Sequence, residues 1–138
     1  MEVITPVERV LTQIDHVRLK RLVSRQGAAA PGAEAMQDLL DCSDLVPSPA
    51  VPPNVLTMYT QVLLQDVAGG EPYKLTLCYP DDAEPAQGFV SVLSPVGTSL
   101  LGLRVGEVAR WGTPGGQPGA ARIVSVLFQP EASGDYIT

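Results

Sequence analysis

VLSPVGTSLLGLRVGEVARWGTPGGQP, residues Val92–Pro118, is the stretch whose reading decides the fold. Val90, Val92 and Leu93 end a strand. Ser94 then stands where a helix N-cap is needed, and Pro95 takes the first helical position, where its missing N–H costs nothing. Leu100, Leu101 and Leu103 supply one apolar face. Gly102 and Gly106 read as helix exit and turn, after which Val108, Ala109 and Trp111 restart an extended run. The unit is strand, short helix, strand.

On either side of this unit the sequence alternates with a period of two. Residues 55–64 read as one long strand broken at Gly69-Gly70, Tyr73–Tyr79 (YKLTLCY) returns beside it, and Phe89–Leu93 follows an acidic loop at Asp81, Asp82 and Glu84. Glu107–Trp111 and Arg122–Phe128 close the set around a Pro-Gly-Gly turn. The N-terminal part has a helical period instead. Thr12 can cap a helix over Gln13–Arg25, with the Asp15 carboxylate turned back toward the N-terminus, and Leu11, Ile14, Leu19, Leu22 and Val23 make a broad apolar arc. After GAAAPG at Gly27–Gly32, a second helix over Ala33–Asp44 places Met36, Leu39, Leu40 and Ser43 on one face, and four prolines between Pro47 and Pro53 end it. Strands in a run with one helix among them predict an α+β fold: a short N-terminal antiparallel helical hairpin with a proline-rich linker (residues 1–50), then an antiparallel sheet with one short helix (residues 51–138).

Composition narrows the function. At 138 residues with 45% hydrophobic content the chain can bury a real core, and 13 Gly with 13 Pro predict many turns. A net charge of -6 argues against direct nucleic-acid binding, which needs a basic stripe to displace phosphate counterions, and favours a basic protein surface as partner. The few cations are concentrated: Arg18, Lys20, Arg21 and Arg25 lie on the first predicted helix, facing Glu34, Asp38, Asp41 and Asp44 on the second. The two sets can pair across the hairpin, or either can dock on a partner. Cys42 and Cys78 have no ligand spacing and read as reduced and partly buried. No apolar run reaches membrane-spanning length and the first residues lack a basic start, so a cytoplasmic protein is expected, and a monomer, because the short hairpin has enough apolar surface to pack on its own C-terminal domain.

Catalytic chemistry finds little to stand on. Asp81, Asp82 and Glu84 could face a divalent cation, yet they lack the glycine and spaced oxygens of a calcium loop, and read as a solvated loop. Gly115-Gly116 is followed by neither a helix nor a Lys-Ser/Thr pair, and reads as a hairpin turn. His16 is the single histidine, beside Asp15 on a helix, and no serine sits in a nucleophile elbow. The expectation is no enzyme activity, no catalytic residue, no metal and no cofactor.

The same stretches carry a family resemblance. SPVGTSLLGLRVGE followed by TPGG resembles the C-terminal domain of the Gre-type transcription elongation factors. PPNVLTMYTQV, LTLCYP, the tryptophan with PGG and FQPEASGDY, taken in order with it, resemble the small bacterial-type family called regulator of nucleoside diphosphate kinase. The resemblance implies an FKBP-like fold and a protein that binds RNA polymerase at the rim of its secondary channel. It maps the rim contact onto Ser94, Pro95 and Val96. Prolyl isomerase activity, which the FKBP-like sheet raises, would need an aromatic-lined pocket, whereas the aromatics here are scattered over different strands. In Gre factors a long coiled coil with an acidic tip holds a magnesium for transcript cleavage. Here about 13 helical residues reach only ~20 Å, and Gly27–Gly32 contain no carboxylate. The implied protein therefore occupies the rim without stimulating cleavage. The family name implies the alternative, a regulator of nucleoside diphosphate kinase, acting by direct contact or indirectly through transcription. Leu93 stands where Gre factors often carry an acidic residue before Ser-Pro, so the grip differs in detail.

Overall fold

A computed structural model describes residues 9–27, 32–112 and 119–134. The hairpin tip at 28–31 and the Pro-Gly-Gly turn lie outside the described residues. The chain runs β1 (Val10–Thr12), α1 (Gln13–Gln26), α2 (Ala33–Cys42), β2 (Asp44–Val46), β3 (Gln61–Asp66), β4 (Tyr73–Cys78), β5 (Phe89–Ser91), α3 (Pro95–Leu100), β6 (Val108–Trp111) and β7 (Gly119–Phe128). Five strands make one sheet in the order β5-β4-β3-β7-β6, and β1 with β2 makes a separate parallel pair. The fold is α+β, two helices followed by a sheet with one short helix. The sheet is antiparallel except at its edge, where β5 runs parallel to β4.

Thr12 caps α1 as expected, its Oγ1 accepting the Asp15 N–H at 3.0 Å. Only half of the anticipated capping box forms. The Asp15 carboxylate turns inward and accepts the backbone N–H of Met58 at 3.3 Å, because the helix packs against the start of the sheet and leaves that N–H without water. The second helix ends two residues earlier than predicted: Asp44 enters β2, its N–H donating to the Arg9 carbonyl at 2.9 Å. A three-residue strand carries no readable period, so this pairing was invisible in the sequence. Cys42 is exposed, against the expectation of partial burial, while Cys78 is buried.

The long strand predicted from Val55 begins only at Gln61. Thr57–Thr60 is a turn: the Thr57 N–H donates to Thr60 Oγ1 at 3.0 Å and the Thr60 N–H to the Thr57 carbonyl at 3.1 Å. Threonine hydroxyls at that spacing offer the backbone a local alternative to the sheet ladder. Tyr59 inside this turn has φ +62°, and it alone among the described non-glycine residues is left-handed.

One apolar cluster joins hairpin and sheet. Leu11, Leu19 and Met36 from the N-terminal part pack with Leu56, Val62, Leu64, Leu77, Leu100, Leu101 and Ile123, all fully buried. A smaller one forms where the proline-rich segment folds back, with Val51 and Val55 on Val10, and there the Gln129 amide donates to the carbonyls of Pro52 (2.9 Å) and Val55 (2.8 Å). Burying such side chains contributes about 1.5–3 kcal/mol each, more than exposed charge pairs between the helices could supply.

Helix α3 sits unusually close to the strand before it. A Cβ on Gly97 would lie 2.8 Å from both the Ser91 carbonyl carbon and the Val92 Cα. Gly97→Ala should therefore lower stability by about 2–3 kcal/mol in a denaturant melt, whereas Gly112→Ala, whose Cβ meets open space, should stay within about 0.5 kcal/mol. Equal effects would contradict this packing.

Burial pushes the Asp15 carboxyl up to about 6 from 3.8, with nearby Glu131 adding to the shift and the Met58 N–H opposing it. The folded state thus prefers the protonated acid. That preference stabilises the fold fully below pH 3.8 and is lost as pH rises to about 6. Asp15→Asn keeps an acceptor for Met58 without the buried charge, so it should melt on the order of 5 °C above wild type at pH 7.5. The gap should close as pH falls toward 4. A gap independent of pH would rule the mechanism out.

Candidate functional site

Two features on the described surface are built rather than incidental. The first is the mouth of α3. Ser94 Oγ accepts the Gly97 N–H at 3.1 Å and donates to the Ser91 carbonyl at 2.7 Å. The Leu93 N–H reaches Ser91 Oγ at 3.1 Å, and Thr98 Oγ1 donates to the Val92 carbonyl at 2.7 Å. Every side-chain hydroxyl around the turn is thus committed to the backbone. This leaves Pro95 exposed at the first helical position, with Val96 and Ser94 half-buried beside it. Of the three residues singled out from the sequence, Pro95 presents the most surface, and Ser94 holds the turn that presents it. The start of α2 abuts the same turn: a Cβ on Gly32, at φ +81°, would meet the Leu93 backbone, 3.1 Å from its carbonyl carbon.

The other end of α3 is held by Arg9. Its guanidinium donates to the carbonyls of Thr98 (2.6 Å) and Leu101 (3.0 Å), two of the acceptors a helix C-terminus leaves open. Burial lowers the Arg9 pKa, and Glu107 opposes this. Sequence reasoning passed over Arg9, since it precedes every predicted element.

The second feature is an open trough of about 1280 Å³ between α1 and the segment that follows β4. Lys20, Arg21 and Arg25 line it from the helix, all exposed, together with Arg18. Tyr59, Tyr79, Asp81 and Asp82 line it from the sheet side. The two tyrosine rings meet edge to face, 5.7 Å apart at 61°. The Tyr59 hydroxyl donates to Asp82 Oδ2. Burial and then the Asp82 contact hold the Tyr59 phenol well above its usual range, and burial with nearby Asp15 pushes Tyr79 up to about 12. Both therefore stay protonated throughout the physiological range. The basic residues were legible in the sequence, but their neighbours across the trough were not, because the left-handed turn that aims Tyr59 is hidden in an alternating run.

The remaining candidates from the sequence lie in local contacts and turns. The His16 Nε2 donates to the Leu40 carbonyl at 3.2 Å, joining α1 to α2. Asp41 accepts from Gln37 on its own helix at 2.9 Å. Asp81 and Asp82 fall in a short 3-10 turn, Pro80–Asp82, and Glu84 pairs with Phe89 through the backbone. Among the described residues no group of three or more His, Cys, Asp or Glu side chains is arranged to hold a metal ion. None of the described helices is long and apolar enough to cross a membrane.

Comparison with known proteins assigns the frame. The family described as transcription elongation factor GreA/GreB, C-terminal, matches residues 51–128. A regulator of nucleoside diphosphate kinase from Escherichia coli (strain K12) is 33% identical over 129 residues, 93% of this chain and 95% of that protein. The transcription elongation factor GreA of Solidesulfovibrio magneticus is 44% identical over 75 residues, 54% of this chain but 45% of that longer protein. Among solved structures, a prokaryotic transcription elongation factor GreA/GreB from Nitrosomonas europaea superposes with a TM-score of 0.74 at 33% identity, covering 87% of this chain and 99% of that one. These relatives are regulators and elongation factors. The chain belongs to the family of the regulator of nucleoside diphosphate kinase, built on a GreA/GreB-type C-terminal domain.

Proposed function

We propose that this protein is a transcription regulator that binds RNA polymerase at the rim of the secondary channel and occupies it without stimulating transcript cleavage. The observation that carries the reading is the mouth of α3: an exposed proline on a turn whose hydroxyls are all satisfied internally, within the segment that matches the GreA/GreB C-terminal family. Such a surface can bury a small apolar anchor without desolvating an unpaired polar group, which is how a few residues come to dominate an interface.

Reach and charge support the reading that cleavage is not stimulated. Helix α1 has 14 residues and α2 has 10, so the hairpin extends roughly 15–21 Å. Residues Gly27–Gly32 carry no carboxylate with which to hold a metal ion. A short lever whose tip sequence carries no charge, and whose helices are part of the sheet's own core, occupies the entrance of a channel rather than working at its far end.

Competition binding to core RNA polymerase with a Gre factor present tests the reading. Wild type should compete, Pro95→Ala should bind about tenfold more weakly, and backtracked complexes should show no faster transcript cleavage when the protein is added. Failure to bind at micromolar concentration would overturn the proposal. The name of the Escherichia coli relative supports a second reading, direct contact with nucleoside diphosphate kinase. Retention of purified kinase by the protein, with no retention of polymerase, would favour it.

A further inference from the structure

We infer that the trough between α1 and the Tyr59–Asp82 wall is a second docking surface, which receives a protein segment of the polymerase bearing carboxylates toward α1 and a cation toward Asp81 and Asp82. The inference rests on the polymerase reading and extends it beyond the mouth of α3.

Charge distribution is the first support. The protein carries nine Lys and Arg against fifteen Asp and Glu, yet α1 holds four of those cations, and its one carboxylate, Asp15, is turned into the core. An acidic protein thus presents one basic helix face, and that face forms one side of a trough large enough for several side chains. Opposite charges steer encounter and set register even where they add little affinity.

The second support is the opposite wall. Tyr59 is held at φ +62°, a conformation costly for an aromatic residue, and its hydroxyl fixes Asp82. The Thr57–Thr60 turn that keeps it there is anchored in turn, since Thr57 Oγ1 donates to Glu131 at 2.7 Å. The tyrosine pair supplies a rigid, partly apolar wall of the kind that anchors protein interfaces.

The two walls together choose the class of occupant. A polyanion such as RNA would find the cations of α1 but would bring its phosphates against Asp81 and Asp82, on a molecule whose net charge is already negative. A polypeptide can carry both signs at side-chain spacing, and so can match both walls.

The test is binding of the full-length protein to immobilised core RNA polymerase. The variants are Lys20→Glu/Arg21→Glu/Arg25→Glu, the single Arg25→Glu, Asp81→Lys, and Lys74→Glu on exposed β4 as control. The triple variant should bind at least about tenfold more weakly, Arg25→Glu and Asp81→Lys severalfold more weakly, and Lys74→Glu within about twofold of wild type. Because the three α1 residues are exposed, the melting curve should be retained, and the single variant reads the same contact if the triple one does not fold. Unchanged binding of the α1 variants while Pro95→Ala weakens it would overturn the trough and leave the α3 contact standing. Tighter binding by Asp81→Lys would overturn the two-sign occupant. A single-stranded RNA oligonucleotide that binds wild type and not the triple variant would assign the trough to nucleic acid. No binding of wild type to polymerase would overturn both this inference and the reading beneath it.

Discussion

The close approach of two glycines to one short backbone segment is the constraint on which the rest of the structure depends. Gly97 brings α3 onto Ser91 and Val92, and Gly32 brings the start of α2 onto Leu93. Neither contact admits a Cβ. Between them lies Ser94, whose hydroxyl satisfies one N–H of the helix and one carbonyl of the strand exit. The turn that exposes Pro95 is therefore fixed from the hairpin side and from the helix side at once. Its shape is set by backbone packing, which is stiffer than side-chain contact in a close-packed interior.

A second set of interactions locks the hairpin to the sheet. Asp15 leaves its helix to bond Met58, Thr57 reaches Glu131, and the Gln129 amide holds the segment that carries Pro52 and Val55. With β1 bonded through Val10 to Gly102 at 3.0 Å, the N-terminal elements and the sheet share one core instead of meeting across a loose joint. The partly polar character of this junction comes at the cost of one buried carboxyl raised to about 6. It also spreads the anchorage of Tyr59, and so of the trough wall, over residues from three distant parts of the chain.

Much of this was legible in the sequence because it depends on local chemistry. The Ser94 cap, Pro95 at the first turn, the Leu100–Leu103 face and the Thr12 cap all follow from rules that act within a few residues. The helical period of α1 and the strand period of Tyr73–Cys78 were long enough to read. What escaped notice was set by distant partners. β1 and β2 are three residues each and exist because they pair with one another. The run from Val55 alternates like a strand, yet Thr57 and Thr60 bond each other and turn it at Tyr59. Asp15 looked like a helix-start carboxylate until the sheet placed Met58 against it. The basic face of α1 was plain in the sequence, but its opposing tyrosines and aspartates come together only through the fold.

The proposed contact with RNA polymerase lies at the mouth of α3. A photo-crosslinking amino acid substituted at Pro95, in the full-length protein mixed with core RNA polymerase, tests this most directly, with the same probe at exposed Phe128 on β7 for comparison. Position 95 should crosslink to the polymerase subunit that forms the secondary-channel rim, with the crosslink lost when excess Gre factor is added, and position 128 should give none. Crosslinks from 128 with none from 95 would contradict it.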